Sequence, residues 1–357
     1  MEKKRYANID LLKTIAIVMV IALHSKLFHT DFIMSRNFST YIQYAIRLIC
    51  EGVAIFVFVN GFLLIGKKEF DLRKHLKKTL KILGVLIVWS FILTIVVKLI
   101  YKEPIHIIQV IKNVFTTEIN NKYTGVLWFL QNLIALYLIY PVLKTIYDKD
   151  KKIYMYLFIV LLVNTIVVNF LGHISVIINT KYKFNVIDIA LSYVSKFQIL
   201  TNRSFLIFFM LGGLVAENKE KFEDKKVRRI SIFAGLIMWG VSVLYAIVVS
   251  KLQNKTYADN FVYESVTMLA CLIMFYAITY KYENKNRIID KLINVIGRNS
   301  LGIYLIHIII IRAIDQYIVM PQNILFRIIK VIVVLFTSLG ITLVIKKIPK
   351  INKLIEL

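Results

Sequence analysis

The apolar run IDLLKTIAIVMVIALHS, residues 9–25, carries a carboxylate, an ammonium group and an imidazole in a stretch suited to lipid. These groups belong to Asp10, Lys13 and His24. A helix turns by about 100° per residue, so Lys13 and His24 lie about 20° apart around the axis after three turns, and Asp10 lies within about 40° of His24. All three residues therefore share one helix face. Ionisable groups inside a membrane are costly and line interior paths, so this face predicts a functional site.

The imidazole of His24 is suited to general-base catalysis, because its unperturbed pKa lies near neutral pH and a neighbouring carboxylate can fix its tautomer. The helix rise places it about 16 Å along the axis from Lys13. Glu51 begins the next apolar run near the same height, four residues after Arg47. We expect at Glu51 either a catalytic carboxylate or an i,i+4 ion pair with Arg47 that closes a helix end.

The segment DLRKHLKKTLKILG, residues 71–84, places Lys74, Lys77, Lys78 and Lys81 on one helix face. Such a patch is suited to phosphates, either those of lipid headgroups or those of a coenzyme.

Aromatic and imidazole groups recur further along the chain. In SLGIYLIH, residues 300–307, His307 is expected near mid-membrane, with Tyr304 three residues before it. Trp128 is expected near a membrane interface, where aromatic belts are common. The chain contains no Walker A loop, GxSxG elbow, HExxH motif or Cys/His metal cluster, so no metal site is predicted.

The composition is that of a membrane protein. The 357 residues are 58% hydrophobic, and the mean hydropathy is +0.69, both beyond a soluble globular domain. The net charge of +25 does not call for nucleic acid, because cytoplasmic loops of membrane proteins collect Lys and Arg. Cys50 and Cys271 fall in apolar runs and offer no disulfide framework.

Ten apolar segments predict an all-α, polytopic helical bundle that forms a single membrane domain over residues 1–357. The predicted spans are 9–29, 44–66, 80–101, 126–147, 153–171, 204–216, 230–250, 262–280, 300–318 and 325–345. The longest connection, 172–203, is expected to be an outer loop that carries an interfacial helix around residues 187–194.

Charge predicts the orientation of the spans. If both termini are cytoplasmic, 28 of the 46 Lys and Arg residues lie in the inside segments, counting Lys81, and 11 lie in the outside loops. This asymmetry follows the positive-inside rule. We therefore expect a multi-pass protein of the cell membrane with both termini in the cytoplasm.

Several of these motifs follow one another in an order and spacing that resemble those of a known protein family. Ten residues separate Lys13 from His24, and GVAIFVFVNGFLL ends in a small polar residue, Gly and an aromatic residue, with Asn60 where Ser is usual. KKTLKIL has Lys78 and Lys81 where two arginines three apart are usual. VLWFLQNLIALYLIYP supplies Trp128, and SLGIYLIH supplies Tyr304 and His307. Over residues 8 to about 307 the chain resembles the membrane-bound acyltransferase family 3, bacterial proteins of about ten spans.

The resemblance implies transfer of an acyl group from cytoplasmic acyl-CoA to a hydroxyl of an extracytoplasmic cell-surface glycan, with no bound cofactor. Acetyl-CoA is the expected donor, and succinyl remains compatible. The donor would bind Arg73, Lys78 and Lys81. His24 would act as general base or acyl carrier, helped by Lys13, Asp10 and Glu51. The resemblance also implies acceptor-binding or structural roles for Trp128, Asn60, Tyr304 and His307. Partner proteins of a glycan assembly pathway are compatible with this activity.

Two other functions fit the same composition. A transporter or flippase for a lipid-linked glycan also needs many spans, polar residues in the bundle and basic cytoplasmic loops. A polysaccharide polymerase or lipid-linked glycosyltransferase often uses carboxylates in large outer loops, and the outer loops here carry few acids, including Asp31, Glu118 and Asp188. Only the acyltransferase would consume acyl-CoA and release free CoA.

Overall fold

The computed structural model describes residues 6–35, 37–115, 122–182, 205–256, 266–282, 286–321 and 323–356, in which every regular element is helical. The α-helices are α1 (Ala7–His24), α2 (Phe32–Ser35), α3 (Phe38–Ile49), α4 (Gly52–Ile65), α5 (Leu72–Ile100), α6 (Ile107–Phe115), α7 (Trp128–Lys149), α8 (Lys151–Tyr182), α9 (Phe205–Glu217), α10 (Lys225–Gln253), α11 (Val266–Thr279), α12 (Arg287–Arg298), α13 (Ser300–Tyr317) and α14 (Ile324–Lys346). Short 3₁₀ helices cover Gly125–Leu127, Lys219–Glu223 and Ile351–Leu354.

The helices confirm the predicted all-α polytopic bundle. Among the described residues, eight helical stretches are long and apolar enough to cross a bilayer. Two shorter apolar helices, α9 and α11, coincide with the sixth and eighth predicted spans. The second predicted span consists of α3 and α4, which are separated at Cys50 and Glu51. The total of ten spans stays a prediction.

Two predicted loops contain helix. The fifth span was expected to end at residue 171, but α8 continues to Tyr182, because no proline or glycine pair interrupts it after Gly172. The predicted inside loop 281–299 contains α12, which begins where the Asn286 side chain accepts the backbone N–H groups of Ile288 and Ile289. The interfacial helix expected around residues 187–194 lies outside the described residues.

The chain folds into two compact units. The first comprises Met1–Leu27, Glu69–Pro141 and Asn284–Leu357, and the second comprises Phe28–Lys68 and Val142–Glu283. The single domain over residues 1–357 stays a prediction.

In the first unit, α1, α5 and α13 run in the same direction. The Tyr317 hydroxyl at the end of α13 donates to the carbonyl of Ile100 at the end of α5. The Trp89 indole of α5 donates to the carbonyl of Leu354, in the 3₁₀ helix that follows α14. The first half of α1 packs on α12, where a Cβ at Gly297 would lie 2.4 Å from the carbonyl oxygen of Asp10. Glycine thus lets the two backbones approach.

In the second unit, α4 and α9 cross at van der Waals distance through glycines. A Cβ at Gly61 would lie 1.8 Å from the carbonyl oxygen of Phe209, and a Cβ at Gly212 would lie 2.1 Å from that of Phe58. Small residues at helix crossings allow the close packing on which association within a membrane depends. These two glycines therefore set the distance between α4 and α9.

We expect Gly61→Ala to lower the free energy of unfolding by about 3 kcal/mol, the upper end of the cost of overpacking. The added methyl meets a backbone carbonyl, so the helices must separate. The melting temperature of the detergent-solubilised protein measures the effect. Gly240→Ala in α10 is the matched control, since a Cβ there meets nothing within 4 Å. Equal melting temperatures for the two variants would contradict the predicted crossing.

Candidate active site

Two imidazoles pair in the first unit. His24 is the last residue of α1, and His307 lies fully buried in α13. His24 Nδ1 lies 3.2 Å from His307 Nε2, and the ring centroids lie 5.1 Å apart. The sequence analysis predicts both residues inside the membrane but does not predict that they contact each other.

The other contact of His307 fixes the protons of the pair. His307 Nδ1 is hydrogen bonded to the carbonyl oxygen of Tyr304, and a carbonyl can only accept, so this Nδ1 carries a proton. The Nε2 of neutral His307 is then an acceptor, and His24 Nδ1 must donate to it. We therefore assign the second nitrogen of His24, Nε2, as an unprotonated base. In this assignment a backbone carbonyl, acting through His307, fixes the tautomer of His24, and the catalytic roles of Asp10 and Glu51 stay predictions.

Tyr304 also holds the turn that precedes Trp128. Its hydroxyl donates to the carbonyl of Val126 in the 3₁₀ turn, and its ring packs against that of Phe129 at 5.4 Å between centroids. Trp128 is half-buried at the start of α7, and its carbonyl accepts the side-chain amide of Asn132 at 2.9 Å. The turn before Trp128 is thus fixed to the same helix as His307.

Lys13 and Asp10 lie on the unbroken helix α1, as the predicted shared face requires. Asp10 is buried and Lys13 is half-buried. Asp10 and Arg298 both lie close enough to Lys13 to interact with it electrostatically. The Lys13 ammonium therefore lies near the α12 end of the first unit, away from His24.

The basic patch begins α5. The Asp71 carboxylate accepts the backbone N–H of Lys74 at 3.0 Å, and this N-cap hydrogen bond is the main reason why the pKa of Asp71 lies below its ordinary value. The first turns of α5 then present Arg73, exposed, and Lys78 and Lys81, half-buried.

Contacts with α7 hold this end of α5. His75 Nε2 lies 2.7 Å from the carbonyl oxygen of Tyr137, and Lys78 Nζ lies 5.5 Å from the centre of the Tyr137 ring. The start of α5, which carries the patch, is therefore packed against α7.

Glu51 and Asn60 belong to the second unit. Glu51 is 2% exposed at the break between α3 and α4. Asn60 lies inside α4, where its side-chain amide donates to the carbonyl of Phe56 at 2.8 Å. Their predicted roles stay predictions.

Arg312 is a further candidate that the sequence reasoning missed, because it was counted with an outer loop. It lies inside α13, five residues after His307, and its Nη1 is buried with no hydrogen-bond partner in the described part of the chain. Its charge interacts with Tyr101, Tyr123 and His24. The signal was available, since a cation interrupts the apolar run IIIIRAI.

A small charged cluster lies beside Arg312. The Glu103 carboxylate accepts hydrogen bonds from the Lys122 ammonium and, at 2.5 Å, from the Tyr123 hydroxyl. These bonds, that from Lys122 first, hold the pKa of Glu103 below its ordinary value. The same carboxylate raises the pKa of Lys122.

The sequence reasoning also missed a cavity of about 510 Å³ just past the end of α1. Ser25, the residue after His24, lines it together with Lys26, Asp315, Arg327 and Lys330. No group of three or more metal-ligating side chains occurs among the residues that the structure covers.

We expect both Nε2 atoms of the imidazole pair to be unprotonated, since the Tyr304 carbonyl orders the protons along it. Nitrogen-15 solid-state NMR of histidine-labelled protein at neutral pH measures the tautomers directly. Spectra of His24→Gln and His307→Gln assign the signals. An Nε2–H signal from either ring would contradict the assignment.

Comparison with known proteins identifies the family of the chain. A family model described as an acyltransferase domain, that of acyltransferase family 3, matches residues 6–346. No curated protein and no solved structure matches the chain. The match extends from the start of α1 to the end of α14, and thus includes the imidazole pair, the basic patch and the turn before Trp128. The chain therefore belongs to the acyltransferase family 3 and is a membrane acyltransferase.

Proposed function

We propose that this acyltransferase moves an acyl group, acetyl being the expected one, from cytoplasmic acyl-CoA to a hydroxyl of an extracytoplasmic cell-surface glycan. The observation that carries the proposal is the ordered pair of His24 and His307, which leaves a basic nitrogen at the end of a polar helix face. Acyl transfer to a hydroxyl needs such a base, because an alcohol is a weak nucleophile until its proton is removed.

In the proposed reaction, His24 Nε2 takes the proton of the acceptor hydroxyl while the hydroxyl oxygen attacks the thioester carbonyl. The tetrahedral intermediate collapses with cleavage of the C–S bond, and the imidazolium returns its proton to the departing thiolate. His307 Nε2 accepts from His24 Nδ1–H throughout and stabilises the charge that develops on His24. Attack by His24 Nε2 on the thioester, which would form an acyl-imidazole, is the second route open to the same lone pair.

The donor would bind at the other end of the first unit. Arg73, Lys78 and Lys81 offer three cations for the phosphates of the coenzyme. Lys13 lies about 16 Å below His24 along α1, on the side from which the thioester would enter. In this proposal the polar face of α1 joins a cytoplasmic donor to an external acceptor, with both termini of the chain in the cytoplasm, as the charge asymmetry favours.

We expect His24→Ala to abolish acyl transfer, a loss of at least about 100-fold for the removal of a general base. The measurement is free CoA released from acetyl-CoA by purified protein in liposomes, with and without bacterial surface glycan. His29→Ala is the matched control, because His29 is exposed and lies outside α1. Full activity of His24→Ala would refute the mechanism, and wild-type protein that releases no CoA with any glycan would overturn the proposed donor and acceptor.

We expect Lys78→Ala combined with Lys81→Ala to raise the KM for acetyl-CoA about tenfold, since two charged phosphate contacts are lost. The kcat at saturating donor should change little, because neither residue touches the reacting atoms. The double change Lys225→Ala and Lys226→Ala at the start of α10 is the matched control for charge at a helix start. An unchanged KM would contradict a role in donor binding and would mean that the basic residues of α5 only set the orientation of the chain in the membrane.

A further inference from the structure

Arg312 is a cation inside α13 that the proposed mechanism does not use. The side chain is half-buried, and its Nη1 is buried with no hydrogen-bond partner within the described ranges. A guanidinium stays protonated in a protein, and a buried donor without a partner is costly. A charge held inside a membrane at such a cost marks a functional site. This nitrogen is therefore available to a ligand oxygen.

The carboxylates in this part of the first unit are paired with lysines. Asp315, one turn after Arg312 on α13, forms an ion pair with Lys330, and Glu103 forms one with Lys122. Among the residues that the structure covers, no carboxylate forms an ion pair with Arg312. The charge of the guanidinium is thus not neutralised by a described side chain.

Arg312 lies close to both the imidazole pair and the turn before Trp128. Tyr304, whose hydroxyl holds that turn, lies eight residues earlier on α13, so the two side chains leave the helix about 80° apart. Arg312 also lies close enough to Tyr123 and His24 to interact with them electrostatically. The guanidinium therefore shares one region of the first unit with the reacting imidazole.

The proposed reaction places a negative charge in this region. As the acceptor oxygen bonds to the thioester carbon, its proton passes to His24 Nε2 and an electron pair of the C=O bond moves to the carbonyl oxygen. The pair returns when the C–S bond breaks, and the departing thiolate takes the proton from His24. Both N–H groups of the resting imidazole pair are already used, one towards the Tyr304 carbonyl and one between the rings. The oxyanion therefore needs a donor from elsewhere.

We propose that Arg312 is a further catalytic residue, whose Nη1 donates a hydrogen bond to the thioester carbonyl oxygen and stabilises the negative charge that develops there. The inference rests on the proposed function and adds the group that binds the oxyanion. A guanidinium is suited to this role, because its charge is permanent and a fixed donor shielded from water stabilises an oxyanion more than water does. An acidic group of the acceptor offers the same anionic oxygen chemistry, and kinetics separate the two.

We expect Arg312→Gln to lower kcat at least about 100-fold, the cost of losing an oxyanion donor, and to leave the KM for acetyl-CoA and for the glycan unchanged. The measurement is CoA release in liposomes. Arg312→Met is a second uncharged variant with the same expected loss, and Arg312→Lys should keep part of the activity because it keeps the charge. Arg229→Gln is the matched control, since Arg229 is exposed in α10. A wild-type kcat, or a raised KM for the glycan alone, would overturn the inference.

Nitrogen-15 NMR of the imidazole pair separates catalysis from a structural role. We expect Arg312→Gln to leave both Nε2 atoms unprotonated, as in the wild type, because the Tyr304 carbonyl orders the protons of the pair. A changed tautomer of His24 would mean that Arg312 acts by positioning the base, and the inference would be overturned.

Hydroxylamine as the acceptor tests the inference without a glycan. Its nitrogen attacks the thioester without a general base and forms acetohydroxamic acid and free CoA, through the same oxyanion. We expect the wild type to accelerate this reaction and Arg312→Gln to lose the acceleration, whereas His24→Ala keeps part of it.

The outcomes with hydroxylamine distinguish the two claims. Release that depends on Arg312, with no release to any glycan, would overturn the proposed acceptor and leave the inference standing. Equal acceleration by Arg312→Gln and the wild type would overturn the inference alone. A wild type that accelerates neither reaction would overturn both.

Discussion

The hydrogen bond between His24 and His307 is the constraint on which the candidate site depends. An imidazole has two nitrogens, and only one of them is basic in the neutral ring. The carbonyl of Tyr304 decides which nitrogen is basic in His307, and His307 then decides it in His24. A fixed backbone dipole thus sets the reactivity of a side chain on another helix, with no carboxylate required.

The first unit brings the parts of this site together. Its parallel helices α1, α5 and α13 carry cations at one end and the imidazole pair nearer the other, and the turn held by Tyr304 immediately precedes α7. Close packing at Gly297 fixes the height of α1 against α12, and so the height of His24 against His307. The charged groups that line the cavity past His24 lie beyond the pair, and in the proposed function the acceptor would enter there.

Much of this could be predicted from sequence, because the bilayer imposes strong rules. Apolar runs gave the helices, and polar interruptions in them pointed to His24, Lys13 and His307. The contact between the two imidazoles could not be predicted from the sequence, because it depends on how α1 and α13 pack and rotate against each other. Arg312 was missed because it lies near the end of an apolar run, where a cation resembles a loop residue. The cavity was missed because its wall combines Ser25 and Lys26 with residues 315–330, which are far away in the sequence.

The central claim is that His24 Nε2 is the reacting atom and Nδ1 its tie to His307. Replacing His24 with histidine methylated at Nε2, or with histidine methylated at Nδ1, tests each nitrogen separately when CoA release is measured in liposomes. The account predicts that methylation at Nε2 abolishes transfer, whereas methylation at Nδ1 weakens it but leaves measurable turnover. Turnover that survives methylation at Nε2 and is lost on methylation at Nδ1 would contradict it.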